Sequence, residues 1–240
     1  MNETHLESIK QRIRAVELLK LMKNSFTYEE LSERTNIPIT VLNRYVKGHV
    51  LPSHERAMWL LKSLEKEFDI RKEVLKRIKF DEHGFFDNTQ VLTDSLLLKK
   101  IAEEVKEIFS DVTVDKVLTA AIDGIPIAMQ VANEFGVDLI YTKKNREVGV
   151  YDFMEETYLS SSSGVIMSLY IPSWMIKKGE NILVVDDIIR SGETQGALIR
   201  LVNKAKANVV GVFTIISIEG EGLSKISKEV NCKVVSLVTL

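Results

Sequence analysis

The residues best suited to chemistry in this sequence are two adjacent aspartates, Asp186 and Asp187, which end the apolar run NILVVDD. A short polar turn, RSGET at 190–194, follows and leads into a helix-like segment. If the apolar run is a buried strand, both carboxylates lie at its carboxyl end, where they can accept hydrogen bonds from vicinal sugar hydroxyls. Backbone N–H groups and the Ser and Thr hydroxyls of the turn favour a bound phosphate. Together the two halves predict a site for a ribose 5-phosphate.

These residues need a sheet to position them, and the C-terminal part of the sequence has the pattern of one. Apolar, strand-like runs occupy 116–121, 137–142, 181–187, 208–216 and 233–238, and helix-like stretches such as 125–135 and 194–205 separate several of them. This alternation predicts an α/β fold with a parallel sheet covered on both faces. The alternative for the aspartate pair is that it only ends a capped strand; the phosphate-type turn beside it favours the ribose site.

The run of apolar strand, Asp-Asp, three residues and Ser-Gly-x-Thr resembles the signature of type I phosphoribosyltransferases, which bind phosphoribosyl pyrophosphate (PRPP). The resemblance implies that Asp186 and Asp187 contact the ribose hydroxyls, and that the 5-phosphate is held by Arg190, Ser191, Gly192, Glu193 and Thr194. It also implies a pyrophosphate loop formed by Ala121, Ile122, Asp123 and Gly124. Mg²⁺ would arrive with PRPP rather than occupy a dedicated protein site, and no catalytic residue is assigned.

Two further segments match this family less closely. Lys143, Lys144 and Arg146 follow a predicted strand, where the family often has basic residues near pyrophosphate, although they could equally be a solvated loop end. The stretch 151–164, which contains YLSSSSG, resembles the flexible loop that closes over substrate. Its serine run could also be an inert mobile connection.

The sequence departs from active members of the family in its charges. Glu193 places a carboxylate in the phosphate loop, and Asp123 places another in the pyrophosphate loop. The stretch 151–164 has no basic residue and carries three acidic ones. Because enzymes of this class stabilise departing pyrophosphate with cations and Mg²⁺, these changes favour ligand binding with weak or lost catalysis. Cations from 143–146 or from a second subunit would reverse this expectation.

The N-terminal third has a different composition. Residues 1–80 hold 16 basic and 11 acidic side chains, whereas residues 81–240 hold 16 and 23, and only Gly48 of the 12 glycines precedes position 84. This contrast predicts two domains, 1–80 and 81–240. The 45% hydrophobic content argues against a disordered chain. A single cysteine, and the lack of a membrane-length apolar run or a signal-like start, predict a cytoplasmic protein without membrane contact.

The segment 27–53 has the pattern of two short helices joined by a tight turn, typical of a helix-turn-helix. Thr27 and Glu30 match a capping box, Pro38 suits the start of the second helix, and Gly48 is placed to end it. The ending also resembles that of phage-repressor-like regulators. The sequence thus predicts an N-terminal DNA-binding domain with linker helices.

The polar side of the second helix supplies the candidate contacts to double-stranded DNA. Asn can pair with adenine and Arg with guanine, while Lys mainly neutralises phosphate. The candidates are Thr27, Thr40, Asn43, Arg44 and Lys47. The alternative is a solvated polar face on a three-helix bundle that only packs against something.

The combination of both halves resembles the archaeal phosphoribosyltransferase-like transcriptional regulators, and also the purine operon repressor of Gram-positive bacteria. This resemblance implies a homodimeric regulator that senses PRPP or a nucleoside monophosphate and controls genes of sugar or nucleotide metabolism. A second hypothesis is an active nucleobase phosphoribosyltransferase, of purine or orotate type, with an autoregulatory DNA-binding domain. A third is a PRPP-binding subunit of a larger enzyme complex, which predicts no specific DNA site.

Overall fold

A computed structural model describes residues 4–83, 85–161 and 163–240 of the chain. The chain forms two compact units, Met1–Glu73 and Val74–Leu240. Helix α5, Ile70–Arg77, crosses this border, which lies a few residues before the domain border that the sequence predicts at 80–81. In the described part of the chain, every helix is too short or too polar to span a bilayer.

The N-terminal unit is helical. Besides the start of α5 it contains α1 (His5–Met22), α2 (Tyr28–Thr35), α3 (Ile39–Val46) and α4 (His54–Leu64). Their apolar stripes meet in one core, because residues spaced three or four apart lie on the same face of a helix. Leu19, Leu31, Leu42, Leu60 and Leu64 are completely buried there.

The predicted pair of short helices in this unit is present. The Thr27 hydroxyl accepts the N–H of Glu30 at 3.2 Å, and the Glu30 carboxylate accepts the N–H of Thr27 at 2.7 Å, so the predicted capping box begins α2. Asn36, in the left-handed conformation at φ 53°, ends α2, and Pro38 directly precedes α3. The geometry of the two helices is therefore as predicted, and their role on DNA stays a prediction.

The C-terminal unit is built on a five-stranded sheet in which every neighbouring pair is parallel. The strand order is β4-β3-β7-β8-β9, formed by β3 (Lys116–Ala120), β4 (Asp138–Thr142), β7 (Asn181–Ile189), β8 (Asn208–Ser217) and β9 (Lys233–Thr239). The connecting helices are α7 (Ser95–Ile108), α8 (Ile125–Phe135), α9 (Glu193–Lys204) and α10 (Gly222–Glu229). The predicted fold class, an N-terminal helical part followed by a type I phosphoribosyltransferase-like parallel sheet, is confirmed.

The central position of β7 follows from its sequence. Helix α8 packs on β3, β4 and β7, while α9 packs on β3, β7 and β8. A strand covered in this way is stable only if both faces are apolar, and Ile182, Leu183, Val184 and Val185 are all fully buried. The strand that carries the two aspartates is thus held rigidly in the middle of the sheet.

The segment 151–164 departs from its resemblance to a flexible loop. It contributes strand β5 (Phe153–Ser160), which pairs along its whole length with antiparallel β6 (Val165–Pro172). Glu156 anchors this hairpin to α9 through ion pairs with Arg200 at 2.9 Å and Lys204 at 3.3 Å. A short 3₁₀ turn, Ser173–Met175, follows β6. Of the predicted serine run, Ser162 lies outside the described residues.

A small ribbon and a short helix precede α7. Strand β1 (Lys79–Phe80) pairs antiparallel with β2 (Phe86–Asp87), and α6 covers Thr89–Leu92. We refer to β1, β2 and the described residues between them as the ribbon. It begins two positions after α5 ends, so it is the first extended structure that the chain forms after the helices.

Candidate functional site

The two aspartates lie at the carboxyl end of β7, where the sequence predicts them. Asp186 and Asp187 are only 5% and 6% exposed. Burying a charged group costs free energy unless hydrogen bonds compensate it, so their partners decide whether the pair is tolerated. Two adjacent buried carboxylates are an expensive arrangement, and their position at a strand end in an open α/β sheet is where ligands of such folds bind.

Each aspartate has a side-chain amide as a partner. Gln195 donates through Nε2 to Asp186 Oδ2 at 2.7 Å and to the Ile188 carbonyl at 3.1 Å. Asn88 donates through Nδ2 to Asp187 Oδ2 at 3.0 Å, and the Asp187 N–H donates to Asp186 Oδ1 at 3.1 Å. These amides fix both carboxylates while leaving acceptor capacity for a ligand, because each carboxylate has about four acceptor positions.

Burial perturbs the titration of this pair. It raises the pKa of Asp186 well above its ordinary value, and the neighbouring charge of Asp187 raises it further, against the lowering effect of Gln195. Burial also raises the pKa of Asp187; the Asn88 hydrogen bond opposes this, and the charge of Asp123 adds to it. The unliganded site therefore holds negative charge unfavourably, and ligand hydroxyl donors or a cation would relieve it.

The phosphate loop begins where β7 ends. Gly192, at φ 76°, takes the left-handed conformation that lets the chain turn into α9, and no side chain caps this helix start. The start of α9 therefore lines the cavity without a side-chain cap, and N–H groups at such a helix start are suited to an anion. The Thr194 hydroxyl is already engaged, since it donates to the Tyr158 hydroxyl at 3.1 Å.

The acidic residue of this loop has a partner on the hairpin. Glu193 Oε2 accepts the backbone N–H of Ser161 at 3.0 Å. This bond lowers the pKa of Glu193, so the residue stays charged at neutral pH. With Thr194 bonded to Tyr158, both residues of the helix start contact the hairpin β5–β6. The hairpin thus binds both of the side chains that begin α9 beside the cavity.

The predicted pyrophosphate loop lies beside the aspartates. A Cβ at Gly124 would stand 2.3 Å from Asp186 Oδ1 and 2.2 Å from Thr119 Oγ1, so only glycine fits there. Asp123 is exposed, close enough for its charge to raise the pKa of Asp187. The peptide bond between Ala121 and Ile122 is cis.

A cavity of about 250 Å³ unites these elements. Its walls include all eleven residues predicted for the ribose, the phosphate loop and the pyrophosphate loop, which are Asp186, Asp187, Arg190 to Thr194 and Ala121 to Gly124. Of the three predicted basic contacts, Lys144 lines the cavity. Lys143 instead pairs with Glu147, and Arg146 pairs with Glu155 at 2.9 Å. The binding roles of all these residues stay predictions.

The structure reveals three cavity-side residues that the sequence analysis missed. Gln195 follows the motif directly, so its position in the first turn of α9 could have indicated it. Asn88 is 99 positions away from Asp187, and no local pattern marks it. Tyr158 was hidden because the segment around it was interpreted as a loop rather than as β5.

The Mg²⁺ ion expected to arrive with PRPP stays a prediction, and the acidic residues near Asp187 bear on it. Within the described residues, no group of three or more His, Cys, Asp or Glu side chains is arranged to hold a metal ion. Asp123 and Asp187 are near enough to repel each other, and an ion held mainly by ligand oxygens would reduce that repulsion. The donor set is thus compatible with a partly hydrated Mg²⁺ on a bound pyrophosphate.

In the N-terminal unit, the candidate DNA contacts differ in exposure. Thr40, Arg44 and Lys47 on α3 are exposed, whereas Asn43 is half-buried. The Asn43 Oδ1 atom is buried and has no hydrogen-bond partner among the described residues. The Thr27 hydroxyl is occupied by the capping box. Three of the five predicted contacts are therefore free to meet a ligand in this conformation.

The fold and the cavity define an α/β protein with a sugar-phosphate type of site, and sequence comparison specifies the family. Residues 87–238 match the phosphoribosyl transferase domain family. The chain belongs to this family.

Two groups of curated relatives are similar to the chain. It is 28% identical to the purine biosynthesis transcriptional repressor PurR of Bacillus subtilis over 137 residues, which cover 57% of this chain and 48% of that protein. The chain thus matches about half the length of the repressor. It is 32% identical to xanthine phosphoribosyltransferase of Alkaliphilus metalliredigens over 179 residues, which cover 72% of this chain and 88% of that enzyme.

Solved structures support the fold. The adenine phosphoribosyltransferase of Thermoanaerobacter pseudethanolicus superposes with a TM-score of 0.63 at 19% identity, covering 71% of this chain and 99% of that one. The enzyme of Rhodothermus marinus gives a TM-score of 0.63 at 24% identity, covering 71% and 98%. At these identities the likeness defines the fold of the C-terminal unit and not its substrate.

Proposed function

We propose that the chain is a DNA-binding transcription regulator whose phosphoribosyltransferase-like unit senses PRPP or a nucleoside monophosphate. The observation that carries this proposal is the co-occurrence, in one chain, of a ribose-phosphate type of cavity and a helix with exposed Thr40, Arg44 and Lys47. The similarity to the transcriptional repressor PurR of Bacillus subtilis and to the probable transcriptional regulator PurR of Streptococcus pneumoniae supports it.

Ligand binding would use the chain's own groups in two places. Asp186 and Asp187 would accept hydrogen bonds from the vicinal ribose hydroxyls, held in position by Gln195 and Asn88. The N–H groups at the start of α9 would bind the 5-phosphate, with Arg190 as the cation of the loop. When PRPP is the ligand, Mg²⁺ would neutralise part of the pyrophosphate charge.

The charges around the cavity support sensing over efficient turnover. Among the cavity-lining residues, the cations are Lys144 and Arg190, against Asp123, Asp186, Asp187 and Glu193. The hairpin offers Glu155 and Glu156, both paired with cations. Departing pyrophosphate needs positioned positive charge, so we expect the chain to bind PRPP much better than it cleaves it.

DNA binding would use α3 in the major groove. Arg44 and Lys47 are exposed on this helix, and residues 1–80 carry a net charge of +5. We further propose a homodimer, because two copies of such a helix would read two half-sites one helical turn apart. The half-buried Asn43 would need to rotate outwards to contact adenine.

Fluorescence anisotropy with the full chain and DNA duplexes tests this proposal. The duplex would be selected from a random-sequence library, and titrations would be run with and without PRPP and Mg²⁺ at several salt concentrations. We expect affinity to fall steeply with salt, because phosphate contacts release counterions. We expect the double variant R44A/K47A to lose most binding, while K177A/K178A in the other unit serves as the matched loss of two exposed charges. Salt-independent binding, or binding that survives R44A/K47A unchanged, would contradict the proposal.

A second candidate is an active phosphoribosyltransferase of xanthine type. The 32% identity to the xanthine enzyme over 88% of its length favours it, as does a carboxylate pair that keeps free acceptor positions. The discriminating assay incubates the chain with PRPP, Mg²⁺ and xanthine, hypoxanthine, guanine, adenine or orotate, and follows nucleotide formation and pyrophosphate release. Rapid turnover with one base would establish this candidate. The DNA-binding unit would then serve autoregulation of the enzyme.

A further inference from the structure

The ribbon is the part of the C-terminal unit to which neither candidate function assigns a role. Its first strand follows α5 closely in the chain, and α5 begins before the border of the N-terminal unit. Each strand has two residues, paired as Lys79 with Asp87 and Phe80 with Phe86. Two-stranded ribbons this short are marginally stable by themselves, so small changes in free energy can rearrange them.

Asn88, which directly follows the ribbon, contacts the ribose end of the cavity. Its amide donates to Asp187 Oδ2 at 3.0 Å. This hydrogen bond stabilises the charged form of a buried carboxylate that has few other donors. A ribose hydroxyl that donates to Asp187 supplies the same stabilisation. The hydrogen bond from Asn88 then contributes less to the stability of the folded protein.

Phe86 of the ribbon contacts the phosphate end of the cavity. The guanidinium carbon of Arg190 lies 4.9 Å from the centre of the Phe86 ring, and Phe86 meets Phe80 with ring centres 6.2 Å apart. Arg190 therefore joins the phosphate loop to the ring pair that connects β1 with β2.

A bound phosphate would compete with Phe86 for Arg190. An exposed cation–π contact changes an equilibrium by about two- to fivefold. A charge-assisted hydrogen bond to a phosphate changes it by about 10- to 100-fold. The phosphate is the stronger partner, so its arrival would draw the guanidinium from the ring and weaken the ribbon.

We propose that the ribbon transmits occupancy of the ribose-phosphate cavity along the chain towards α5, with Phe86 and Asn88 as its coupling residues. The ribose acts on the ribbon through Asp187 and Asn88, and the phosphate acts on it through Arg190 and Phe86. This inference rests on the proposed function, and it adds the segment by which the ligand controls the DNA-binding unit. Because coupling between two sites is reciprocal, DNA would change PRPP affinity through the same segment.

The test measures a coupling factor, the ratio of DNA dissociation constants with and without PRPP and Mg²⁺, for the full chain. Calorimetry with PRPP alone gives the ligand affinity separately. The variants are F86L, which removes the ring beneath Arg190, and N88A, which removes the amide on Asp187. The matched control is F85L, because Phe85 is the neighbouring exposed phenylalanine and its side chain lies outside the cavity walls.

We expect a factor of about 5 to 150 for the wild-type chain and for F85L. For F86L and N88A we expect this factor to fall about two- to fivefold each, while F86L binds PRPP and DNA separately within about threefold of wild type. Amide hydrogen exchange across residues 79–83 should also speed up when PRPP binds to the wild-type chain, and less so in F86L.

The possible outcomes distinguish failure of this inference from failure of the proposed function. If PRPP and DNA both bind but F86L and N88A keep the wild-type factor and exchange pattern, the inference is overturned and the proposed function stands. An equal decrease of the coupling factor in F85L would also overturn it, because the decrease would then not depend on Phe86 or Asn88. If the wild-type chain binds no PRPP, or its factor is 1, the proposed function fails and this inference fails with it.

Discussion

The two ends of the cavity accommodate negatively charged side chains in opposite ways. At the ribose end, Asp186 and Asp187 are buried on a central strand, neutral amides hold them, and their pKa values are raised. At the phosphate end, Glu193 is partly exposed, a hairpin N–H binds it, and its pKa is lowered. The ribose end is thus rigid and costly to keep charged, whereas the phosphate end is held by contacts that a ligand can replace.

This difference suits the two ends to different roles, with ligand recognition at the ribose end and a change of contacts on binding at the phosphate end. A pair of acceptors fixed on a central strand recognises a diol without movement of that strand, since preorganised groups lose little entropy on binding, and only the Asn88 contact at this end would change. A phosphate loop tied to a hairpin and to the ribbon must exchange those contacts when a ligand binds, so occupancy has structural consequences. The predictions below vary each end in turn.

The largest effect is expected from D187N. The substitution removes the charge that would accept hydrogen bonds from ribose, and a hydrogen bond to a charged group contributes about 1.5–3 kcal/mol. We therefore expect PRPP affinity to fall about 10- to 100-fold, as measured by calorimetry. The control is D152N, which removes an exposed carboxylate away from the cavity. Equal losses in the two variants would contradict the assignment of Asp187.

The same substitution should stabilise the unliganded protein at neutral pH. A carboxyl whose folded pKa is raised binds its proton more tightly in the folded state, so stability falls as pH rises from the ordinary value of 3.8 through the raised pKa. We expect D187N to exceed wild type in free energy of unfolding at pH 7, because the substitution removes a buried charge. The advantage should shrink towards pH 4, and chemical denaturation at both pH values measures it. An advantage independent of pH would show that burial of charge is not its cause.

At the phosphate end, removal of the Glu193 charge should strengthen PRPP binding, whereas D187N should weaken it. E193Q removes the charge beside the phosphate while keeping an oxygen for the Ser161 N–H, and E193A removes both. We expect E193Q to bind PRPP about three- to tenfold more tightly at low salt, because a like charge is removed at close range. The gain should shrink in high salt. Weaker binding by E193Q would mean that Glu193 contacts the ligand favourably.

The smallest effect is expected from Y158F. This variant removes only the hydroxyl that accepts from Thr194, and it frees the Thr194 hydroxyl for phosphate. We expect PRPP affinity to rise by about two- to threefold, the scale of one neutral hydrogen bond after competition. Y151F, at a fully exposed tyrosine, is the matched control. A large loss of affinity in Y158F would place its hydroxyl on the ligand instead.

Much of the C-terminal unit could be predicted from local patterns. The apolar run that leads into Asp186 and Asp187 is continuous, and the turn after the strand must be tight and rich in small polar residues, so both features can be recognised in the sequence. The hairpin β5–β6 was missed because its charged residues and serines look like a loop. It is stable because Glu156 pairs with α9 and because β6 completes it, and neither contact is local.

The sequence alone determined the fold class, the position of the aspartate pair, the phosphate turn and the short helices of the N-terminal unit. Each of these depends on patterns that can be recognised along the chain, namely periodicity, capping and the alternation of strand-like and helix-like runs. Tertiary structure decided which groups surround the aspartates. The contact from Asn88 to Asp187, the bond from Ser161 to Glu193 and the placement of Arg190 on Phe86 all join distant segments. Such pairs are set by how the elements pack, and therefore the sequence predicted a ribose-phosphate site but not the contacts that would make it responsive.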